Sequence, residues 1–376
     1  MKSQLCEKLG IEFPIFAFNH CRDVVVEVSK AGGMGILGAA GLSPEALEIE
    51  LKWIDDHIDG KPYGVDIIVP TTMAAQENDV ATNISALVPN EHRDFASSVL
   101  AQHGLDTAGI YDFSAGTSDA FLGESKAAAL MDVAFAHPIK MIANALGVPP
   151  RYMLELGKAN NVAVAALVGA KEHALKQAEA GVDVIVVQGT EAGGHCGEVS
   201  TMVLVPEVCE AIKEFKDISV LAAGGIVLGR QMAAAMTMGA HGAWTGSMWL
   251  TTSEASTSPV IKEKMLSTNS RDTVRSRSRT GKYSRQMRSP WTDAWEDEDA
   301  PDPLPMPLQP LVSEPALSKI TKMAEGGHPG ARQLATYWVG QGVGLMNEVQ
   351  SCKSVMYDFM QDFLAATEKM RRVMDD

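Results

Sequence analysis

Residues 184–197 carry the sequence Val-Ile-Val-Val-Gln-Gly-Thr-Glu-Ala-Gly-Gly-His-Cys-Gly, and this segment decides the fold. Its first four residues are apolar and β-branched, which predicts a strand buried on both faces, as in a parallel sheet. The chain then enters a glycine-rich loop that carries Glu191 and His195. Because ligands of parallel α/β proteins bind at the carboxyl ends of the strands, we expect this loop to border a binding site.

The alternation of a short apolar strand with a helix recurs along the chain. Strands are predicted at residues 13–17, 34–38, 61–69, 139–143, 162–167, 184–188, 220–223 and 242–245, and helices at 23–31, 43–60, 150–160, 171–180, 205–215 and 229–238. Eight strands joined by right-handed crossovers predict an α/β fold, a (β/α)₈ TIM barrel. An open doubly wound sheet is the second candidate, and it is weakened because no GxGxxG motif follows the first strand.

Two regions depart from this alternation. Residues 71–137 predict a mostly helical insertion, with helices at 74–86 and 91–103 and a Gly/Ser/Asp-rich stretch at 114–123. From residue 251 the pattern predicts a smaller, mainly helical second domain, with helices at 263–269 and 317–325 and an extended proline-rich segment at 301–310. We divide the chain into the barrel (1–250), a substrate-covering domain (251–339) and a C-terminal turn and helix (340–376) that packs back on the barrel.

Composition excludes several classes of function. The chain has 32 Lys and Arg against 47 Asp and Glu, a net charge of −15 that disfavours nucleic acids and anionic membranes as partners. No apolar run is long enough to span a membrane, and the N-terminus lacks the apolar core of a signal peptide, so we expect a cytoplasmic protein. Its 5 scattered cysteines predict free thiols and no metal site.

Two further glycine turns follow the seventh and eighth predicted strands. They read Ala222-Ala-Gly-Gly-Ile226 and Trp244-Thr-Gly-Ser247. In barrels, the backbone N–H groups of these two loops commonly hold a phosphate. Glycines let the main chain approach it, and the hydroxyls of Thr245 and Ser247 can donate hydrogen bonds. The pattern predicts a mononucleotide or a phosphorylated ligand.

Together these loops resemble a known family. Residues 191–197, 222–226 and 245–247 resemble the signature loops of the nitronate monooxygenases, and residues 31–38, 61–65 and 340–344 resemble further motifs of that family. The resemblance implies an FMN-dependent oxidoreductase that oxidises alkyl nitronates, small-molecule substrates, with dioxygen, and His195 as the catalytic base. Related flavin barrels share the histidine loop, so an NAD(P)H-dependent reductase of an enoyl-thioester or a quinone is the alternative.

The resemblance also implies which residues hold the cofactor. The FMN phosphate is expected on Gly224, Gly225, Gly246 and Ser247, and Asp66 stands where the family commonly has asparagine. The full predicted cofactor-binding set is Ala17, Phe18, Asn19, Asp66, Gln188, Gly193, Gly194, Ala223, Gly224, Gly225, Thr245, Gly246, Ser247 and Gln341. A homodimer is left open.

Three features of the sequence each allow two interpretations. His20, after the first strand, is a second catalytic histidine or a loop residue that caps backbone groups. Cys196 is interpreted as an inert thiol rather than the partner of His195, because adjacent residues point apart in an extended loop. A basic segment holds a CoA or NAD(P)H phosphate, or it is a solvated helical face neutralised by residues 295–299, which we favour. It comprises Arg271, Arg275, Arg277, Arg279, Lys282, Arg285 and Arg288.

Overall fold

A closed barrel of eight parallel strands forms the centre of the protein. The computed structural model describes residues 3–69, 84–112 and 124–375. Strand β1 pairs with both β2 and β9, which closes the sheet and shows that the alternative open sheet is wrong. The barrel strands are β1 (Ile15–Asn19), β2 (Met34–Gly38), β3 (Tyr63–Ile67), β4 (Met141–Asn144), β5 (Ala163–Val168), β6 (Val184–Gln188), β8 (Ser219–Ala223) and β9 (Gly242–Thr245).

Helices surround the barrel as a (β/α)₈ fold requires, and local sequence explains where they begin and end. The Ser43 hydroxyl caps α3 by accepting the Ala46 N–H at 3.2 Å, and Gly181 ends α7 in a left-handed conformation. In this part of the chain the helices are α1 (Gln4–Leu9), α2 (Arg22–Lys30), α3 (Pro44–His57), α4 (Asn90–Gln102), α5 (Glu124–Ala136), α6 (Arg151–Asn160), α7 (Lys171–Ala180), α8 (Thr201–Ala211) and α9 (Gly229–Thr237).

Alternate strand residues divide into an inner and an outer layer. The inner layer fills the lumen with side chains such as Phe16, Ile36, Val186 and Trp244, and α1 closes the amino-terminal end of the barrel with Leu5, Cys6 and Leu9. The outer layer packs under the surrounding helices. The lumen is therefore a packed core, and barrels of this kind bind their ligands at the carboxyl ends of the strands.

The described part of the predicted insertion is helical. Helix α4 confirms the helix predicted at residues 91–103, and it packs against the long helix Leu308–Glu325 of the second region. The predicted helix at 74–86 falls almost entirely outside the described residues, apart from a 3₁₀ turn at Ile84–Leu87. The Gly/Ser/Asp-rich stretch at 114–123 also lies outside them.

The region after the barrel combines helices with a β-hairpin. Strands β10 and β11 form the hairpin, and β11 also pairs with β7, a short strand in the histidine loop. The elements are β7 (Gly194–His195), α10 (Pro259–Ser267), β10 (Thr273–Ser276), β11 (Ser284–Met287), α11 (Pro290–Trp295), α12 (Leu308–Glu325), α13 (Pro329–Leu334) and α14 (Cys352–Asp375). The domain boundaries at residues 250 and 339 stay predictions.

Three predictions about helices in the chain were wrong in detail, and one of them is α10, which spans Pro259–Ser267 rather than residues 263–269. Helix α12 begins at Leu308 rather than at residue 317, because Pro310 occupies its first turn, where a missing N–H costs nothing. The extended segment predicted up to residue 310 is therefore shorter. Helix α8 begins at Thr201 rather than at residue 205, because a loop carboxylate accepts the Thr201 N–H.

The C-terminal helix α14 packs against helices that surround the barrel. It lies against α9 and α2, and a Cβ at Gly229 would fall on the main chain of Phe359. Glycine at that position therefore permits the close approach of the two helices. No helix among the described residues is long and apolar enough to cross a membrane.

Candidate active site at the carboxyl ends of the strands

The loop after β6 is fastened to the barrel by its own carboxylate. Glu191 Oε2 accepts hydrogen bonds from the Thr201 N–H at 2.9 Å and the Thr201 hydroxyl at 2.8 Å. A negative charge at the first turn of α8 also complements the helix dipole. Glu191 is thus a structural anchor, and His195 is the titratable side chain that the loop presents.

Strand pairing with the second region positions His195. In the short ladder between β7 and β11, His195 lies opposite Ser284 and Gly194 opposite Arg285. The imidazole Nε2 lies 2.7 Å from the Thr280 hydroxyl, at the tip of the same hairpin. Sequence analysis missed Thr280, because 85 residues separate it from His195 and no local pattern marks it.

The surroundings of His195 keep its imidazole neutral. Burial, with a smaller contribution from the nearby cations Lys282 and Arg279, lowers its pKa to about 4. His195 is nevertheless an exposed residue, so it lies at the mouth of the site. A neutral imidazole retains a lone pair that can accept a proton at physiological pH.

Part of the basic segment lies beside His195, and the segment forms a β-hairpin, so the solvated helical face that we favoured was wrong. Arg279 is buried, with its guanidinium 4.0 Å above the Trp338 ring and its Nε 2.7 Å from Glu314. Arg285 Nε donates to the Thr190 carbonyl at 2.9 Å. The segment forms the β-hairpin instead of a helix, because these guanidiniums find carbonyl, carboxylate and aromatic partners there, and none of these partners belongs to residues 295–299.

The two other glycine turns differ in their surroundings: the turn at Gly224 packs closely against Thr201, whereas the turn at Gly246 leaves open space. Gly224 and Gly225 have left-handed φ angles of 111° and 69°. A Cβ at Gly246 would meet no atom within 4 Å. Ser247 Oγ accepts the Gly340 N–H at 2.8 Å, which leaves its own proton to donate. These features suit a phosphate held by main-chain N–H groups and one hydroxyl.

The late glycine turn brings the three loops together. A Cβ at Gly193 would lie 2.7 Å from the Gly340 nitrogen, and Gln341 N donates to the Glu191 carbonyl at 2.9 Å. A cavity of about 320 Å³ opens next to this junction and is lined by Gly224, Gly225 and Gln341, among others. Gln341 therefore lies on the side where the phosphate is predicted.

The remaining residues of the predicted cofactor set lie at strand ends, in differing orientations. Phe18 and Ala223 belong to the lumen, and Phe18 stacks on Trp244 at a centroid distance of 6.3 Å. Gln188 ends β6, and no hydrogen bond engages its side chain within the described ranges. Asp66 is buried, and its Oδ2 has no partner among those residues.

Three predicted contacts need correction. The Thr245 hydroxyl donates to the Phe16 carbonyl and accepts the Trp249 indole N–H, so it is committed within the protein and is not a donor to a ligand. The Ala17 side chain faces the outer layer, and Asn19 Oδ1 accepts the Cys21 N–H. Because strand residues alternate between faces, Ala17 and Asn19 reach a ligand in the mouth only through their main chain.

His20 and Cys196 have defined surroundings. His20 Nδ1 donates to the Gly38 carbonyl at 2.8 Å if that nitrogen carries the proton, and its ring packs edge-on against Phe18. It therefore binds the backbone, and a catalytic role stays a prediction. Burial raises the pKa of the Cys196 thiol despite Arg285 and Arg275 beside it. The thiol stays protonated near neutral pH, as expected for an inert cysteine.

Sequence comparison places this site among known proteins. The family model for nitronate monooxygenase matches residues 2–362. The Mycobacterium tuberculosis protein Rv1533, provisionally named a monooxygenase, is 51% identical over 369 residues, which is 97% of each chain. A Staphylococcus aureus protein (strain JH9), provisionally named a nitronate monooxygenase, is 25% identical over 356 residues, 90% of this chain and 91% of that protein.

Solved structures share the fold over their whole length. A nitroalkane oxidase from Streptomyces ansochromogenes has a TM-score of 0.78 at 21% identity, with 98% of this chain and 100% of that chain covered. FabK from Thermotoga maritima has a TM-score of 0.73 at 26% identity, with 99% of each chain covered. With the family model matching nearly its whole length, this chain belongs to the nitronate monooxygenase family and is a flavin-dependent oxidoreductase of that kind.

Proposed function

We propose that the protein binds FMN and oxidises alkyl nitronates with dioxygen, with His195 as the base when the substrate arrives as a neutral nitroalkane. The observation that carries the proposal is the placement of His195: its Nε2 lies 2.7 Å from the Thr280 hydroxyl, and burial and two nearby cations lower its pKa, which keeps the imidazole neutral. A base of this kind can remove the proton from the carbon that bears the nitro group.

The two cations give the proton transfer a direction. Arg279 and Lys282 disfavour a protonated His195 in the empty site, which keeps the base ready. Once the proton moves, the nitronate carries a negative charge beside the new imidazolium. That charge interacts favourably with the imidazolium and with both cations. The pair of nitronate and imidazolium is therefore stabilised, whereas an imidazolium without the nitronate is disfavoured by the same cations.

The residues present fit an FMN cofactor. Gly224, Gly225, Gly246 and Ser247 would hold the phosphate, and the orphaned Asp66 carboxyl and the unengaged Gln188 amide would meet the polar edge of the ring. Of the remaining members of the predicted set, Ala17, Asn19 and Thr245 would meet the cofactor only through their main chain, and Phe18, Gly193, Gly194, Ala223 and Gln341 would line it. When bound, FMN supplies the acceptor for the electrons of the nitronate.

An NAD(P)H-dependent reductase of an enoyl-thioester or a quinone is the second candidate. It is favoured by the likeness to FabK and by the cations beside His195, of which Lys282 is exposed. An exposed lysine next to a buried arginine can receive a phosphate of a dinucleotide or a thioester carrier.

Anaerobic mixing separates the two candidates. The purified full-length protein is mixed with ethyl nitronate in one experiment and with NADH or NADPH in another, and the visible absorbance of the flavin is followed. We expect the nitronate to bleach it rapidly and the nicotinamides to bleach it slowly. The reverse order would establish the reductase, and a colourless protein that takes up no FMN would refute both candidates. Cytoplasmic location and a homodimer remain predictions.

A further inference from the structure

Asp66 is a carboxyl group inside the barrel, at the end where the site lies. It alternates along β3 with Val65 and Ile67, which pack in the outer layer, so its side chain points into the lumen. Its neighbours in register are Gly38 on β2 and Ala143 on β4. Neither contributes a polar side chain that could pair with the carboxyl, and only 3% of Asp66 is exposed.

The elements around Asp66 supply it with no counter-charge among the described residues. From β1, the titratable group is His20, whose ring occupies the place of a Cβ on Gly38 and whose Nδ1 is engaged by the Gly38 carbonyl. From β4, Asn144 is neutral, and its amide is engaged by the Val69 N–H and the Leu146 carbonyl. Asp66 Oδ2 is left without a hydrogen-bond partner.

An ionised carboxylate in these surroundings would be costly. A buried charge without a cation or donors is strongly disfavoured, and the acid keeps its proton instead. Burial accordingly raises the pKa of Asp66 well above its ordinary value. A protonated carboxyl offers one O–H donor as well as acceptor oxygens. Asp66 is therefore a buried donor that finds no acceptor in the described protein.

We propose that Asp66 meets the flavin as a neutral acid and donates a hydrogen bond to an acceptor on the isoalloxazine ring. The inference rests on the proposed FMN cofactor. The ring edge carries carbonyl oxygens and ring nitrogens that accept hydrogen bonds, so the cofactor supplies what the protein around Asp66 lacks. A neutral donor also tolerates the negative charge that the ring gains on reduction, whereas an ionised Asp66 would repel it.

The protonation state is tested without any reaction. Infrared difference spectra compare the wild-type protein with Asp66→Asn near neutral pH, both with FMN bound and after its removal. We expect a carbonyl band of a protonated carboxyl group in the wild type that is missing in Asp66→Asn and that shifts when FMN is added. Absence of this band from both wild-type samples means that Asp66 is ionised and overturns the inference.

Stability measurements give an independent reading of the same proton. Above the ordinary pKa of aspartate the unfolded chain releases the Asp66 proton while the native state retains it. The unfolding constant of the flavin-free wild type should therefore rise by up to about tenfold per pH unit relative to Asp66→Asn. The comparison is repeated with His20→Gln in both backgrounds, so that titration of His20 is excluded. Parallel pH profiles of the two proteins from about pH 4 to 7 would contradict a proton held by Asp66.

The donor role is tested by FMN affinity. Asp66→Asn keeps an N–H donor and should bind FMN within about threefold of the wild type, whereas Asp66→Ala should bind about tenfold more weakly. Equal affinities of the Asn and Ala variants would overturn the donor role. If no variant binds FMN, the proposed cofactor fails. If FMN binds and the carboxyl band is absent, the proposed function stands and this inference fails.

Discussion

Replacing His195 by asparagine should separate proton abstraction from anion binding. Asparagine keeps a polar side chain that can hydrogen-bond Thr280, but it cannot accept a proton near neutral pH. A positioned general base contributes about 10²- to 10⁴-fold. We therefore expect flavin reduction by neutral nitroethane to slow by that factor in His195→Asn, while reduction by pre-formed ethyl nitronate changes less than about tenfold, because its proton is already gone.

The assay is anaerobic stopped-flow measurement of flavin bleaching with the same compound in both ionisation states, so that the dioxygen step does not contribute. The pH dependence supplies a second test. A base with its pKa lowered to about 4 is protonated only as the pH falls through that value, so the wild-type rate with nitroethane should stay level above it and decline below it. Equal losses on nitroethane and its nitronate would show that His195 orients the anion and is not the base.

Three further outcomes follow from individual contacts. Thr280→Val removes the hydrogen bond to His195 and should lower the rate with nitroethane by about 2- to 10-fold, with Thr280→Ser near wild type in the same assay. Gly246→Trp should abolish FMN retention, because its side chain enters the open space beside the loop; a yellow variant would contradict the phosphate assignment. Burial lowers the pKa of His137, but hydrogen bonds to Asp55 and Glu48 outweigh it and raise the pKa. The stabilisation that protonated His137 gives to the folded protein is complete below about pH 6.5 and is lost as the pH rises through the raised pKa. Urea denaturation should therefore show that the free energy of unfolding lost in His137→Gln becomes smaller over that range.

Sequence was sufficient for the barrel because burial imposes a simple pattern on its strands. Strand β6 and helix α7 have the bounds expected from their apolar runs and flanking glycines. The glycine turns could also be located, since a glycine at the end of a parallel strand marks where the backbone approaches a ligand or another segment of the chain closely. The order of these features along the chain also predicted that they meet, which the contacts among Gly193, Gly340 and Ser247 confirm.

The hairpin could not be predicted, because it is buried without being apolar. Ser276, Ser284 and Gln286 are fully buried, and the hairpin satisfies some of their polar atoms internally, for example through the 3.1 Å bond from Gln286 Nε2 to Ser278 Oγ. Charged and hydroxylic residues at these positions predict a solvated surface when they are viewed alone. Sequence also does not show which atoms a hydroxyl group contacts. The prediction that the Thr245 hydroxyl donates a hydrogen bond to the ligand was wrong for this reason.

Pairing between β7 and β11 has a consequence for how the site is assembled. His195 belongs to a barrel loop, but its strand partner Ser284, its hydrogen-bond partner Thr280 and the cation Arg279 all belong to the hairpin. The barrel alone therefore supplies the glycine turns and the lumen, and the hairpin supplies the hydrogen-bond partner of the base and the two cations that help to lower its pKa. The register of the two residue pairs between β7 and β11 fixes the orientation of His195 and its surroundings together, because shifting a strand by one residue turns its side chains to the opposite face.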